Sequence, residues 1–281
     1  MTTAPFIDSI LHATDFSETS QRAFAHALAV ALLRKAKLTL FHAGGDPSMG
    51  AWQEFPAIRG TLERWGLLAP GSERAAVFRE LSVRAEKVVV KRRNVARAIA
   101  DHVSEEEPDL LVLGTAGREG LPRWLRPSTA ERAAQKTGTM TLFVPENARG
   151  FVSLDDGTTS LRRILVPVAE QPDASEALVF ASRAAEALGD HPVAIDILYV
   201  GDGRPPEVTR PEGDAWTYRR LQRSGDPVEE IVAAANELES DLLVMATAGR
   251  EGVLDALRGS VTQQVLRAAP CPLLAVPTNR S

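Results

Sequence analysis

The sequence predicts an α/β protein made of two tandem, doubly wound parallel sheets of five strands each, with strand order 3-2-1-4-5. Three observations carry this expectation. Short, continuous apolar runs alternate with longer amphipathic segments, the pattern of strand–helix–strand units whose strands are buried on both faces. The hexapeptide TAGREG at Thr115–Gly120 recurs at Thr247–Gly252. The repeat around it runs without a gap from Asp109–Pro145 to Asp241–Pro277, with 16 identities in 37 positions. A whole module has therefore been copied, not a motif.

The elements follow in order. Ile10–Thr14 reads as strand one, and the amphipathic segment from Glu18 to Arg34 as a helix with Ser17 placed to cap it. Lys37–Phe41 reads as strand two and Lys87–Val90 as strand three. Asn94 caps a helix on which Val95, Ile99 and Val103 share one face. Leu110–Leu113 is strand four, Ser128–Lys136 a helix and Met140–Val144 strand five. The second half repeats the series. Its strands are Ile164–Val168, Val193–Tyr199, Tyr218–Gln222, Leu242–Met245 and Leu273–Val276, and its helices Ala174–Leu188, Asp226–Leu238 and Ser260–Ala268. Asp226 followed by Pro227 is a cap with proline at the first helical position.

The opening strands align at an offset of 154 and the hexapeptides at 132, so the first half holds 22 more residues. These fall around Ala51–Val77 and read as a second helix that the shorter half lacks. The expected division is a first domain over 1–148, a linker over 149–160 and a second domain over 161–281. The stretch Asn147–Ser160, rich in Gly, Ser, Thr and Asp, marks the boundary.

A length of 281 residues suits two domains, and 44% hydrophobic with 25% charged residues is ordinary for a globular chain. Residues 1–150 carry 20 Lys and Arg against 17 Asp and Glu; residues 151–281 carry 12 against 20. Neither half is basic enough to indicate a nucleic-acid partner. No apolar run is long enough to span a membrane. The first residues lack a basic region followed by an apolar stretch, and the single cysteine, Cys271, excludes an internal disulfide. A cytoplasmic protein is expected. His12, His26, His102 and His191 lack metal-ligand spacing, and His42, at the end of strand two, and Cys271 read as structural. There is no P-loop, no G-x-G-x-x-G after the first strand and no pair of carboxylates arranged as acid and base. No enzyme is expected, beyond weak, incidental hydrolysis of a bound ligand.

In sheets of this kind ligands bind at the carboxyl ends of strands where the strand order reverses, here between strands one and four. The loop after strand four carries Gly114 and Gly117 in the first half and Gly249 in the second. Glycine lets a backbone approach a phosphate closely, and free N–H groups in a tight turn or at a helix start form an anion cradle. Ser128 and Ser260 stand three residues before Glu131 and Gln263, the capping-box pattern that would pin a helix start beside that loop.

With these residues in place the sequence resembles the universal stress protein family, in its tandem two-domain form, over nearly the whole chain. The ATP-binding members share the pattern glycine, two residues, glycine, nine residues, glycine, then Ser or Thr, with an Asp just after strand one. The resemblance implies a Rossmann-like, adenine-nucleotide α-hydrolase-like fold. It implies ATP, or AMP or ADP, as a regulatory ligand, with Mg2+ accompanying it. It assigns the contacts to Asp15, Ala43, Gly114, Gly117, Arg118, Ser128 and Thr129 in the first half, and to Gly249, Arg250, Gly259 and Ser260 in the second. It also implies domain pairing through strand five, with a homodimer as a further step.

Both halves depart from the pattern. Pro127 replaces the third glycine of the first half and removes an N–H donor. In the second half Ala246 replaces the first glycine, where its methyl would crowd a phosphate. Ala169 stands in place of the Asp, the loss of a charge-assisted contact worth about 1.5–3 kcal/mol. The first half is therefore the expected nucleotide site. Other readings stay open at several positions. Asp15 contacts ribose or caps the first helix; Arg118 and Arg250 face phosphates, solvent or an inter-domain carboxylate; Ser128 and Ser260 touch phosphate or only cap helices. The basic run Lys87–Arg97 attracts phosphates or forms a solvated face. The alternative to a nucleotide-binding protein is a nucleotide-independent interaction scaffold.

Overall fold

A computed structural model describes residues 7–44, 55–115, 129, 134, 137–248 and 261–278, with residues 190 and 191 described in the backbone only. The first half contributes strands β1 (Ser9–Ala13), β2 (Lys37–Ala43), β3 (Arg84–Val90), β4 (Leu110–Thr115) and β5 (Thr141–Pro145). The second contributes β6 (Leu161–Val168), β7 (Gly189–Val200), β8 (Trp216–Arg223), β9 (Leu242–Ala248) and β10 (Leu273–Thr278). All ten lie in one sheet, in the order β3-β2-β1-β4-β5-β10-β9-β6-β7-β8. Each half runs 3-2-1-4-5 from its outer edge inward to β5 or β10, and every pairing within a half is parallel. The two five-stranded sheets join into one because β5 and β10 pair antiparallel, with Leu273 opposite Phe143, Leu274 opposite Leu142 and Ala275 opposite Thr141.

Helices cover both faces. One face carries α1 (Glu18–Arg34), α2 (Ile58–Arg64), α3 (Ala76–Leu81) and α5 (Ser175–Leu188); the other carries α4 (Val95–Glu106), α6 (Pro227–Glu237) and α7 (Val261–Ala268). Alternate strand residues feed the two layers: Ile10, Leu38, Leu110 and Val112 pack towards α1, and Leu11, Phe41, Leu111 and Leu113 towards α4. Each layer of core is continuous across the β5–β10 junction. The helix starts follow their caps. Ser17 Oγ accepts from Ser20 N (3.2 Å), Asn94 Oδ1 from Arg97 N (3.0 Å), and Asp226 Oδ1 from Val228 N (2.9 Å) and Glu229 N (3.1 Å).

The structure differs from expectation in two places. The outer strands are longer, β3 starting at Arg84 and β8 at Trp216. Both are largely exposed, so no apolar run marks their starts; the ladder to β2 or β7 does. The extra segment of the first half forms two short helices, not one. Pro70 and the left-handed glycines Gly66 (φ 73°) and Gly71 (φ 78°) separate α2 from α3. The helix expected over Ser128–Lys136 lies outside the described residues except at Thr129 and Ala134.

The segment between the halves packs closely on α1. Phe151 is only 2% exposed, its ring sits edge-on to His26 at 4.6 Å, and its N–H donates to His26 Nε2 (3.3 Å). Arg22 donates to Glu146 O (2.8 Å) and Ala148 O (2.9 Å), and Trp65 Nε1 to Leu154 O (3.1 Å). Val152 bridges Thr159, closing the segment into a small loop. Within this mostly polar segment two apolar residues, Phe151 and Val152, are buried.

Two buried histidines make this packing sensitive to acid. Burial lowers His12 and His26 from about 6.5 to about 4. The unfolded chain therefore takes up these protons first. The stability present above pH 6.5 is lost as pH falls from there towards 4. Urea unfolding at pH 5 should show a loss of about 2 kcal/mol per histidine relative to pH 7, and His26→Gln should remove one share of that slope. Phe151→Ala should cost about 3–5 kcal/mol, read as a lower urea midpoint at unchanged m-value.

Candidate functional site

The site is built where β1 and β4 end. After Ala13 the chain stays beside β2, with Thr14 N donating to Phe41 O (2.9 Å), and then turns sharply through Asp15, Phe16 and Ser17. Asp15 Oδ1 accepts from Ser17 N (3.1 Å) and Ser17 Oγ (2.6 Å), while that same Oγ caps α1. Asp15 is exposed, and among the described residues its Oδ2 accepts no hydrogen bond. The carboxylate is thus held by one oxygen and presents the other.

The turn is held in a costly conformation. Phe16 has φ 66°, in the left-handed region, which for a bulky side chain costs on the order of 1–3 kcal/mol. Aromatic packing holds it there. The Phe16 ring stacks on His42 (4.2 Å, 22°) and meets Phe55 edge-on (5.3 Å, 78°). His42 Nδ1 lies 2.8 Å from Thr14 O. A carbonyl only accepts, so this nitrogen carries the proton. His42 therefore serves as a structural support, one that fixes the turn holding Asp15. Periodicity gives no sign of Phe16 or Phe55; a left-handed phenylalanine is a tertiary outcome.

Asp15, Ala43, Gly114 and Thr129 line a single cavity of about 200 Å³. Its apolar wall comes from Phe41, Leu113 and the α4 residues Val95 and Ile99, and its polar side from Thr14, Ser17, Thr19 and Ser20. The volume is below the ~300–1,000 Å³ of whole ligand pockets, so the described side of the crevice has room for a ligand fragment. Gly117, Arg118, Ser128, Gly249, Arg250, Gly259 and Ser260 lie outside the described residues, as does Pro127. Of the basic run Lys87–Arg97, Val95 lines this cavity and the cations do not.

Gly114 has a packing reason to be glycine. A Cβ there would stand 3.1 Å from Thr19 O and 3.2 Å from Thr19 C and Cγ2, in the first turn of α1. At the equivalent place of the second half Ala246 packs, partly buried, against the core layer that holds α1 and α5. The second half makes room in its own way, since α5 starts at Ser175, three residues past the position matching the start of α1.

Other chemistry is limited. Burial pushes the Cys271 thiol up to about 12, which leaves no thiolate nucleophile at neutral pH. Among the described residues no group of three or more His, Cys, Asp or Glu is placed to hold a metal, and no helix is long and apolar enough to cross a membrane. Gly114→Ala should lower unfolding stability by about 1–3 kcal/mol, because the clashing atoms are helix backbone; a urea midpoint equal to that of the parent would refute this packing role.

Comparison with known proteins places the chain. The model of the universal stress protein family matches residues 7–145 and 207–277. A universal stress protein of Methanothermobacter thermautotrophicus is 41% identical over 71 residues, 25% of this chain and 48% of that protein. One from Methanocaldococcus jannaschii is 44% identical over 52 residues, 18% of this chain and 31% of that protein. The matches thus span about half or less of these relatives' lengths. Among solved structures, a universal stress protein from Archaeoglobus fulgidus superposes with TM-score 0.64 at 16% identity, covering 97% of this chain and 99% of that one. A protein of unknown function from Pseudomonas aeruginosa PAO1 gives TM-score 0.59 at 14% identity, covering 96% and 92%. At such identities these two show the fold. With one matched segment in each half of its sequence, the chain belongs to the universal stress protein family as a tandem member.

Proposed function

We propose that the chain binds an adenine nucleotide at the crevice of its first half, as a regulatory ligand and not as a substrate. The observation that carries this reading is the Asp15 carboxylate, held through Oδ1 at the carboxyl end of β1 with Oδ2 presented beside the cavity. A carboxylate oxygen accepts from ribose hydroxyls, and the wall of Phe41, Val95, Ile99 and Leu113 suits the flat apolar faces of a base. In this reading the phosphates fall to the segment of Gly117, Arg118 and Ser128, with Mg2+ on the phosphates. The residues present fit a nucleoside fragment: an acceptor, hydroxyls and an apolar wall.

In the same proposal residues 1–148 and 161–281 act as domains joined through β5 and β10, in a cytoplasmic protein that pairs further into a homodimer. The second half, with Ala169 in place of a carboxylate, binds nucleotide more weakly. Asp15 is the single carboxylate among the described residues lining the cavity. The second reading, a nucleotide-independent scaffold, draws on Pro127 and Ala169.

Calorimetry of the stripped full chain with ATP and with AMP separates the two. Binding in the micromolar range, weakened about tenfold or more by Asp15→Ala, is the expected result. No heat at millimolar nucleotide would move the conclusion to the scaffold.

A further inference from the structure

The outermost strand of the first half, β3, is an open edge. Among the described residues it pairs with β2 alone, over seven residues without a register shift. Gly44 N donates to Val90 O (3.1 Å), so the even-numbered residues of β3 face β2 in this parallel ladder. Ala85, Lys87 and Val89 turn their N–H and C=O groups the other way. Among the described residues no hydrogen bond reaches the backbone of Ala85 or Val89. A straight edge of this kind is a template for a further strand. Beside it runs a groove of about 830 Å³, walled by α2, α3 and β3. It shares no lining residue with the crevice at Asp15.

The groove is apolar along one side and cationic along the other. Ile58, Val77 and Phe78 line it, and Phe78 is 52% exposed. Arg59, Arg74, Arg84 and Lys87 stand against Glu63 and Glu86. Both carboxylates are already engaged. Glu63 lies 3.5 Å from Arg59; Glu86 lies 2.7 Å from Lys37 and accepts from Thr39 Oγ1 (2.8 Å). Arg84 rests over the Phe78 ring at 5.3 Å, and among the described residues neither Arg84 nor Arg74 meets a carboxylate. Burial, and then the charge of Arg74, hold the Lys87 ammonium below the usual lysine range, so like charges crowd this wall. The cationic row continues past the strand in Lys91, Arg92 and Arg93. Pairing β3 with β3 of a second copy would set this row against its own image, which destabilises a strand pair. A nucleic acid supplies anions but no strand backbone for Ala85 and Val89. An acidic peptide in extended form supplies both.

We propose that the β3 edge takes up an acidic, extended peptide of a partner protein as a further strand of the sheet. The peptide backbone pairs with Ala85 and Val89, its apolar side chains lie on Val77 and Phe78, and its carboxylates meet Arg74 and Arg84.

The test is fluorescence anisotropy of the full chain with a labelled peptide that alternates glutamate and valine. Two control peptides accompany it: the lysine–valine analogue, and the same acidic peptide methylated at alternate amide nitrogens. The acidic peptide should bind saturably below millimolar concentration, roughly tenfold tighter than either control. Ala85→Pro removes an outward N–H without breaking the ladder to β2, and should weaken the peptide roughly tenfold. The paired change Arg74→Glu and Arg84→Glu, at exposed positions, should weaken it severalfold and abolish the preference over the lysine analogue. The urea midpoint of each variant shows that it is folded. Unchanged affinity in folded Ala85→Pro, equal binding of the lysine analogue, or no binding at millimolar peptide would each overturn the proposal. So would tighter binding of oligouridylate at this edge, or a dimer of the chain in sedimentation that Ala85→Pro dissolves.

Discussion

The antiparallel pairing of β5 with β10 is the contact on which the rest of the architecture depends. Each half ends its sheet in an apolar strand, and an open apolar edge invites association. Pairing the two edges satisfies both ladders at once and merges two five-stranded sheets into one. The merger lets a single core layer run under α1 and α5 and another under α4, α6 and α7. It also sets the two flanking helices on either side of the central leucines, which opens the large apolar cavity between them. The connecting segment strengthens the join, since Phe151 and Arg22 tie it to α1 through His26 and two carbonyls.

The first crevice illustrates how a local backbone cost is offset by tertiary packing. Asp15 has its orientation because Phe16 occupies a left-handed conformation, and Phe16 remains there because His42 and Phe55 pack on its ring. Phe55 comes from the edge of the extra segment of the first half. That segment, absent from the second half, thus contributes directly to the turn that presents the carboxylate. The second half has Ala169 in place of Asp15 and no counterpart of this segment.

The halves have also diverged inside the sheet. In the first half Thr39 on β2 faces Glu86 on β3, which is also bound by Lys37. At the matching place of the second half Asp196 on β7 faces Arg219 on β8, with Arg163 at 3.6 Å. Asp196 is fully buried, and these two guanidiniums are its ion-pair partners. The sign of the charge on the outer strand has reversed while the layer has kept its ion pairing. The pairing between β5 and β10 has tolerated this because it involves neither position.

What the sequence by itself determined was whatever is written in local chemistry. The duplication, the alternation of strands and helices, and the caps at Ser17, Asn94 and Asp226 rest on repeat identity, apolar periodicity and side-chain hydrogen bonds within three residues. The neighbourhood of Asp15 with Gly114 followed from strand order and the position of the reversal. What only the tertiary structure decided was whatever depends on contacts between distant segments. The starts of β3 and β8 are set by partners across the ladder, and the segment around Phe151 is set by His26. The closeness of Gly114 to Thr19, where a Cβ would stand 3.1 Å from Thr19 O, is likewise a contact between distant segments. The cavity over the junction has no trace in either repeat alone, because it forms where the equivalent strands β5 and β10 meet antiparallel and no residue pattern within one copy encodes the space between two.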